Sequence, residues 1–451
     1  MNRIKVMKFG GTSVATQENR LLAAMKVVSA REQGFAPVVV VSAVGRKGAP
    51  YATDTLINEL SQIDETTDID PREQDLMIAC GEIFSAVIFG QTLRSLGHHA
   101  RSFRGGQAGI RTDGVYGNAR IVSINPAGIL RSIEAGYIPI VCGFQGVFVE
   151  DQLSPSSELT TLGRGGSDTT AAALGAALNA EAVEIFTDVD GVKTADPDSV
   201  QDAPTLGRMS YEEVAEIAHL GAKVLHPRAA EIAERYNTPL WVKNTFTEHS
   251  GTEIVSREAL GGRHVTGVTH SGKLVYLQFD LSKVSDGHRT DLEAGIYDMM
   301  ARYGISLYLP TLSPSSIGFA VSRDQFWMVE DLIDGLVLPL NGSEQSIYLV
   351  QLGAKASLEA ETQLKLLRPL GEVKIIPIQL TEGCTMVSLV GAQFRPVPGV
   401  FYEVLMTLHE GQVPVLQTSD SDLSMSVIIP EAETNRAVRL LHERFGLGDL
   451  A

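Results

Sequence analysis

Several short segments set charge beside glycine in ways that suit phosphate chemistry. In Lys8-Phe9-Gly10-Gly11-Thr12-Ser13 a cation stands next to bare backbone. Glycine lets phosphate oxygens approach the N–H groups, and a following helix start adds a positive dipole. The spacing is not that of a P-loop. A tight strand-to-helix turn with a solvated lysine would carry the same residues. Gly163-Arg164-Gly165-Gly166-Ser167-Asp168 is a second such turn. Arg164 offers a planar fork for a carboxylate or phosphate, and Ser167 or Asp168 suits the cap of the helix that follows. Asp168 could hold Mg²⁺ or orient a lysine; an ordinary capped glycine loop is the plainer alternative. Thr187-Asp188-Val189-Asp190-Gly191-Val192-Lys193 runs on to Asp196-Pro197. Its acidic groups, lysine and sharp turn suit a nucleoside with metal-bound phosphates, although Asp-Gly turns are common on surfaces. Its ligand spacing excludes a calcium loop. In Gly221-Ala222-Lys223-Val224-Leu225-His226-Pro227 the proline begins or precedes a helix. Lys223 would point at a nucleotide, and His226 is expected to be packed rather than catalytic. Glu82, in Cys80-Gly81-Glu82 of a long apolar helix, needs a partner if buried. It is either a receptor for a substrate ammonium or a helix-surface residue.

The elements around these segments alternate. Strands are predicted over 4–9, 38–41, 137–142, 182–187 and 240–243. Helices are predicted over 72–96, 168–178, 211–220 and 228–236, with one after the first glycine turn carrying Leu21, Leu22, Met25 and Val28. Ser13 or Thr16 would cap that one. Such alternation predicts a doubly wound α/β domain with a mainly parallel sheet. Ligands bind such sheets beyond the carboxyl ends of the strands, where the glycine clusters fall. Near residue 260 the pattern changes to a weak repeat. One unit runs over 274–279, 292–303, 305–309, 317–321 and 326–336, and a second over 385–390, 400–410, 413–417, 423–429 and 433–445. Each reads strand-helix-strand-strand-helix, the ferredoxin-like α+β order. Between them, 373–379 is assigned as a closing strand of the first unit. The expected divisions are 1–258, 265–383 with an insertion, and 384–451.

Composition narrows the function class. The net charge is −17, with 44% hydrophobic and 20% charged residues. That is a globular composition, and its charge repels nucleic acid and anionic lipid. Cys80, Cys142 and Cys384 fit neither a disulfide framework nor a zinc site and are expected to be small core residues. No stretch is expected to reach the ~18 apolar residues of a membrane helix, and none reads as a signal peptide. The cytoplasm is the expected compartment.

Taken together, the glycine-charge segments closely resemble those of the aspartate kinase family, in that family's order over residues 3–256. The resemblance implies a three-layer amino-acid-kinase sandwich followed, more weakly, by paired ACT modules. It implies an enzyme that uses ATP with Mg²⁺ to phosphorylate the side-chain carboxylate of L-aspartate. By the resemblance Lys8 contacts the transferred phosphoryl group, Arg164 and Asp168 complete the catalytic charges, and Ser42, Thr53, Glu82, Arg164 and Ser167 hold aspartate. Gly10, Gly11, Ser13, Thr187, Asp188, Lys193, Asp196, Lys223 and Val224 would line the nucleotide site, with no resident metal. It further implies a homodimer or higher homo-oligomer and an amino-acid effector such as lysine, threonine or diaminopimelate. Two positions depart from the family. Asp198 stands where many members have arginine, which Lys193 or Arg208 would offset, and Thr311-Leu312-Ser313 stands where many have Gln-Asn. Related amino-acid kinases, and a ligand sensor built on an inactive kinase, are the competing readings.

Overall fold

The computed structural model describes residues 3–449 apart from 64–67, 150–156, 223, 261–263, 285, 334–336, 341–345, 353–357, 368, 370–372, 393 and 395–398. The strand Arg3–Phe9 organises the N-terminal half. Its side chains alternate, so Ile4 and Val6 join one core and Met7 and Phe9 another, the period of a strand. With both faces buried it sits centrally, pairing in parallel with Phe35–Val41 and with Ala182–Thr187. The sheet order is Arg208–Ser210, Thr252–Val255, Leu240–Asn244, Ala182–Thr187, Arg3–Phe9, Phe35–Val41, Ile138–Cys142, Ala100–Phe103. Only Leu240–Asn244 with Thr252–Val255 is antiparallel among these pairings.

Helices cover both faces, giving three layers. On the Ile4 and Val6 face lie Gly166–Ala177 and Pro227–Arg235, packed through Ala171, Leu174, Ala229 and Ala230. On the other face lie Gln17–Glu32 and Cys80–Ser95, packed through Ala23, Ala24, Val27, Phe89 and Leu93. The helix Gln17–Glu32 therefore turns its alanines inward and leaves Leu21, Leu22 and Met25 exposed. Thr16 caps it, accepting from the Asn19 amide. Cys142 and Cys384 are buried, but Cys80 is exposed, so it is not the core residue expected. The paired helices over Pro71–Ser95 are long and apolar enough to cross a membrane, contrary to expectation. Half of the most apolar window is buried inside the protein, as in the core helix of a globular domain. A second sheet, of four strands, adjoins them: Ile121–Ile124, Ile110–Thr112, Gln145–Phe148 and Glu158–Thr161. Buried Asp75 ties it to the helix Pro71–Ile78, accepting from the Thr161 amide at 2.8 Å and hydroxyl at 2.6 Å.

The C-terminal half is built on two long antiparallel strands, Gly267–Asp280 and Val373–Val390. Leu274 to Asp280 pair with Ser316–Ser322, while Gly267 to Ser271 run beside Val390 to Met386, which pair in turn with Ser424–Pro430. Each long strand thus serves both repeat units. The expected division at 383 and 384 falls inside Val373–Val390. The strand predicted from 274 begins earlier because it passes through a bulge at Ser271 to Leu274, where Lys273 adopts φ 64°. Among the described residues three buried clusters result, one around Phe279, Phe319 and Tyr348, one around Val404, Leu408, Val427 and Leu441, and a smaller one around Leu274, Tyr276 and Met386.

Candidate active site

The carboxyl end of Arg3–Phe9 and the start of Gly166–Ala177 meet at one point. Strand alternation puts Lys8 on the face of Ile4 and Val6, which that helix covers. Lys8 Nζ lies 2.6 Å from Asp168 Oδ1, with both side chains largely buried. The two glycine turns therefore converge, and Asp168 holds the lysine. The other Asp168 oxygen, Oδ2, accepts from the His226 amide at 3.2 Å. The cap of this helix is Gly165 at φ 72°, so Ser167 and Asp168 fall inside its first turn and do not cap it as expected. Gly165 is obligatory for packing too, since a Cβ there would meet the His226 ring at 2.1 Å. His226 is half-buried and burial lowers its pKa, which agrees with a packed residue. Ser167 is buried against Gly143, where a Cβ would meet Ser167 Oγ at 2.6 Å.

The segment 42–55 stitches the remaining parts together. The Ser42 amide donates to Phe9 O at 3.1 Å and the Gly45 amide to Gly11 O at 3.0 Å. The Ala43 amide donates to Glu82 Oε1 at 2.9 Å. Glu82 is buried, its Oε2 has no hydrogen-bond partner among the described residues, and burial pushes its pKa up to about 8. Thr53 begins the helix Thr53–Ser61, and the next residue, Asp54, accepts from exposed Arg164 at 2.8 Å. Arg46 donates to Asp188 Oδ2 at 2.6 Å, joining this segment to the loop after Ala182–Thr187. Ser13, expected beside the nucleotide, is instead buried and shares a 2.7 Å hydrogen bond with Thr245. Neither Arg46, Asp54 nor Asp75 was singled out by sequence. Each acts on a partner more than 40 residues away, as with Arg46 and Asp188, so no local spacing marks them. The Gly-Arg-Lys-Gly run at 45–48 was the available signal for Arg46.

A cleft of ≈ 750 Å³ opens beyond the carboxyl end of Ala182–Thr187, lined by Thr187, Asp188, Lys193, Asp196 and Val224. That is ample for a nucleotide. Lys193 donates to Ala203 O at 2.9 Å, across its own loop. Arg208 pairs with Glu253 at 2.8 Å and exposed Asp198 donates its amide to Asp196 Oδ1 at 2.9 Å. Lys223 lies outside the described residues. The far wall comes from the C-terminal half, at His270 to Lys273. The same loop is fixed to that half: Thr194 O accepts from the Val268 amide at 2.8 Å, and Thr194 Oγ1 lies 2.9 Å from His442 Nε2. Gly221 is needed at this seam, for a Cβ would meet His270 O at 2.4 Å.

Comparison with known proteins agrees with this architecture. Residues 3–244 match the model of the amino acid kinase family and residues 387–445 that of an ACT domain. The chain is 36% identical to aspartokinase 1 of Bacillus subtilis, over 99% of each chain. The fold is similar to that of E. coli aspartokinase III solved with aspartate and ADP, in the R-state, at TM-score 0.68 and 24% identity over 98% and 99% of the two chains. It is similar at the same TM-score, and 23% identity over 98% and 100%, to that enzyme solved with lysine and aspartate in the T-state. The chain belongs to the amino acid kinase family, and within it to the aspartokinases.

Proposed function

We propose that this kinase transfers the γ-phosphoryl group of ATP to the side-chain carboxylate of L-aspartate, giving 4-phospho-L-aspartate and ADP. The observation that carries the reading is the buried Lys8–Asp168 pair at the junction of the two glycine turns. The bond from the γ-phosphorus to its bridging oxygen breaks and ADP leaves with the electron pair. A carboxylate oxygen forms the new bond and no proton need move. Such chemistry needs positioning and charge neutralisation rather than covalent help. Lys8 supplies the fixed cation, and the backbone of Gly10 and Gly11 admits the phosphate oxygens. Arg164 grips the α-carboxylate by exchanging Asp54 for it, and Glu82 receives the ammonium. Ser42, Thr53 and Ser167 border that substrate. Thr187, Asp188, Lys193, Asp196 and Val224 surround the nucleotide, and the family resemblance alone assigns Lys223 to it. Among the described residues no group of three or more metal-ligating side chains gathers. Mg²⁺ would come with the triphosphate, Asp188 being the carboxylate that lines the cleft, and would neutralise phosphate charge when bound. The competing amino-acid kinases are disfavoured by the 36% full-length likeness to an aspartokinase.

The test is ADP release from ATP, dependent on aspartate, with hydroxylamine added. An acyl phosphate on the side chain gives the side-chain hydroxamate in step with ADP. ADP release indifferent to aspartate would contradict the reading.

The product would be the first step toward lysine, threonine, methionine and diaminopimelate in the cytoplasm, with feedback through the C-terminal units. A second cleft of ≈ 810 Å³, lined by Gln278, Asp280, Ser282, Ser316 and Gln379, supports an amino-acid effector there. Lysine, threonine and diaminopimelate are the candidates, to be titrated singly and in pairs in the same assay. Among the described residues the strand Val337–Leu340 pairs on one side only, with Ser346–Leu352, an edge that favours a homodimer through these units, which light scattering at micromolar concentration would test.

A further inference from the structure

We infer that Arg46 is a further catalytic cation, held on Asp188 in the free enzyme and transferred to the γ-phosphoryl group when ATP binds. The inference rests on the kinase reading above. Its first support is where the backbone of Arg46 lies. A Cβ on Gly11 would meet Gly45 O at 2.5 Å and Ala43 O at 2.7 Å. The loop carrying Arg46 is thus packed directly onto the phosphate-binding turn, and no other residue type could replace Gly11 without moving it. Its second support is that the loop is a built turn. Gly45 and Gly48 adopt φ 82° and 97°, values that suit glycine. The Ala49 amide closes the turn on Arg46 O at 2.9 Å and the Gly48 amide donates to Thr55 Oγ1, also at 2.9 Å.

The third support is direction. From the Gly11 side the guanidinium reaches Asp188 Oδ2 at 2.6 Å. Asp188 follows Ala182–Thr187, the sheet neighbour of Arg3–Phe9, and lines the nucleotide cleft. The side chain therefore runs from the loop packed on the glycine turn at Gly11 to a residue that lines the cleft. Both partners are substantially solvent-exposed, and an exposed ion pair holds weakly. A phosphate bearing several negative oxygens, met bidentately by the same fork, outcompetes one carboxylate. As the bond to the bridging oxygen lengthens, charge spreads over the equatorial oxygens. Lys8 and Arg46 then both face that charge.

The test uses the full chain with Arg46→Ala and Arg46→Lys. For Arg46→Ala, kcat should fall by about 100-fold, with KM for aspartate unchanged. Arg46→Lys, which keeps charge but not the fork, should recover part of the loss. Affinity for ADP with aluminium fluoride and aspartate, a mimic of the transferring phosphoryl group, should fall with kcat while affinity for ADP alone stays. A kcat for Arg46→Ala equal to wild type overturns the inference. So does an equal loss of affinity for ADP with and without aluminium fluoride, which would mark Arg46 as a mere support of the Asp188 loop. Wild-type enzyme lacking aspartate-dependent turnover would instead sink the kinase reading itself, so the two failures are distinct.

Discussion

The buried pair of the site, called here its floor, and the two exposed pairs, called its rim, are of nearly equal length and unlike character. On the floor, Lys8 and Asp168 stand 2.6 Å apart with side chains 12% and 11% exposed. On the rim, Arg164 and Asp54 stand 2.8 Å apart at 90% and 39%, and Arg46 and Asp188 2.6 Å apart at 74% and 36%. Distance does not separate them; solvent does. In a low-dielectric setting a broken pair leaves a charge without water, so the floor pair is fixed. In water the same contact costs little to exchange. The floor therefore suits the fixed lysine of the proposed mechanism, and the rim suits the exchange of a protein carboxylate for a substrate anion proposed for the two arginines.

Breaking the floor should have the largest effect. Asp168→Asn leaves Lys8 buried without its counter-charge. A loss of about 3 kcal/mol is expected, the lower end for a buried pair since some exposure remains, read by denaturant unfolding. Lys8→Met keeps the stem and removes the charge, and kcat should fall by about 100-fold, or ~2.7 kcal/mol of barrier. Glu82 sharpens the contrast through pH. Burial pushes its pKa up to about 8, so the folded protein keeps a proton that the unfolded chain releases near its ordinary value of about 4.3. Its contribution to stability is whole below that value and declines as pH rises toward 8. Glu82→Gln should flatten this decline in melting temperature between the two values. In the wild type, KM for aspartate should fall over the same rise in pH, because the ammonium needs the ionised carboxylate. The smallest stability effect belongs to the rim. Arg164→Ala should change stability by less than about 1 kcal/mol while raising KM for aspartate. A large loss of stability there would erase the distinction between floor and rim.

Much of the catalytic half was legible because its signals are local. Alternation in Arg3–Phe9 marks a strand, glycines mark its exit, and Pro227 marks the start of Pro227–Arg235. What escaped was long-range. Asp54 gains meaning only from Arg164, 110 residues away, and Asp75 only from Thr161, 86 away. Capping was misread at Gly165 because Ser167 and Asp168 are the better cap residues by type, whereas the close His226 ring admits only glycine. In the C-terminal half the repeat was visible, but the two strands that serve both units were not. A glycine and a lysine at 272 and 273 look like a strand end, and only the pairing across Val373–Val390 carries the strand through them.

The most direct test of the fixed floor is aspartate-dependent formation of ADP and side-chain hydroxamate by wild type and Lys8→Met, alongside ADP binding to each. The account predicts matched ADP and hydroxamate from wild type, and a rate lower by about two orders of magnitude from Lys8→Met with ADP binding retained. Wild-type turnover by Lys8→Met would contradict it.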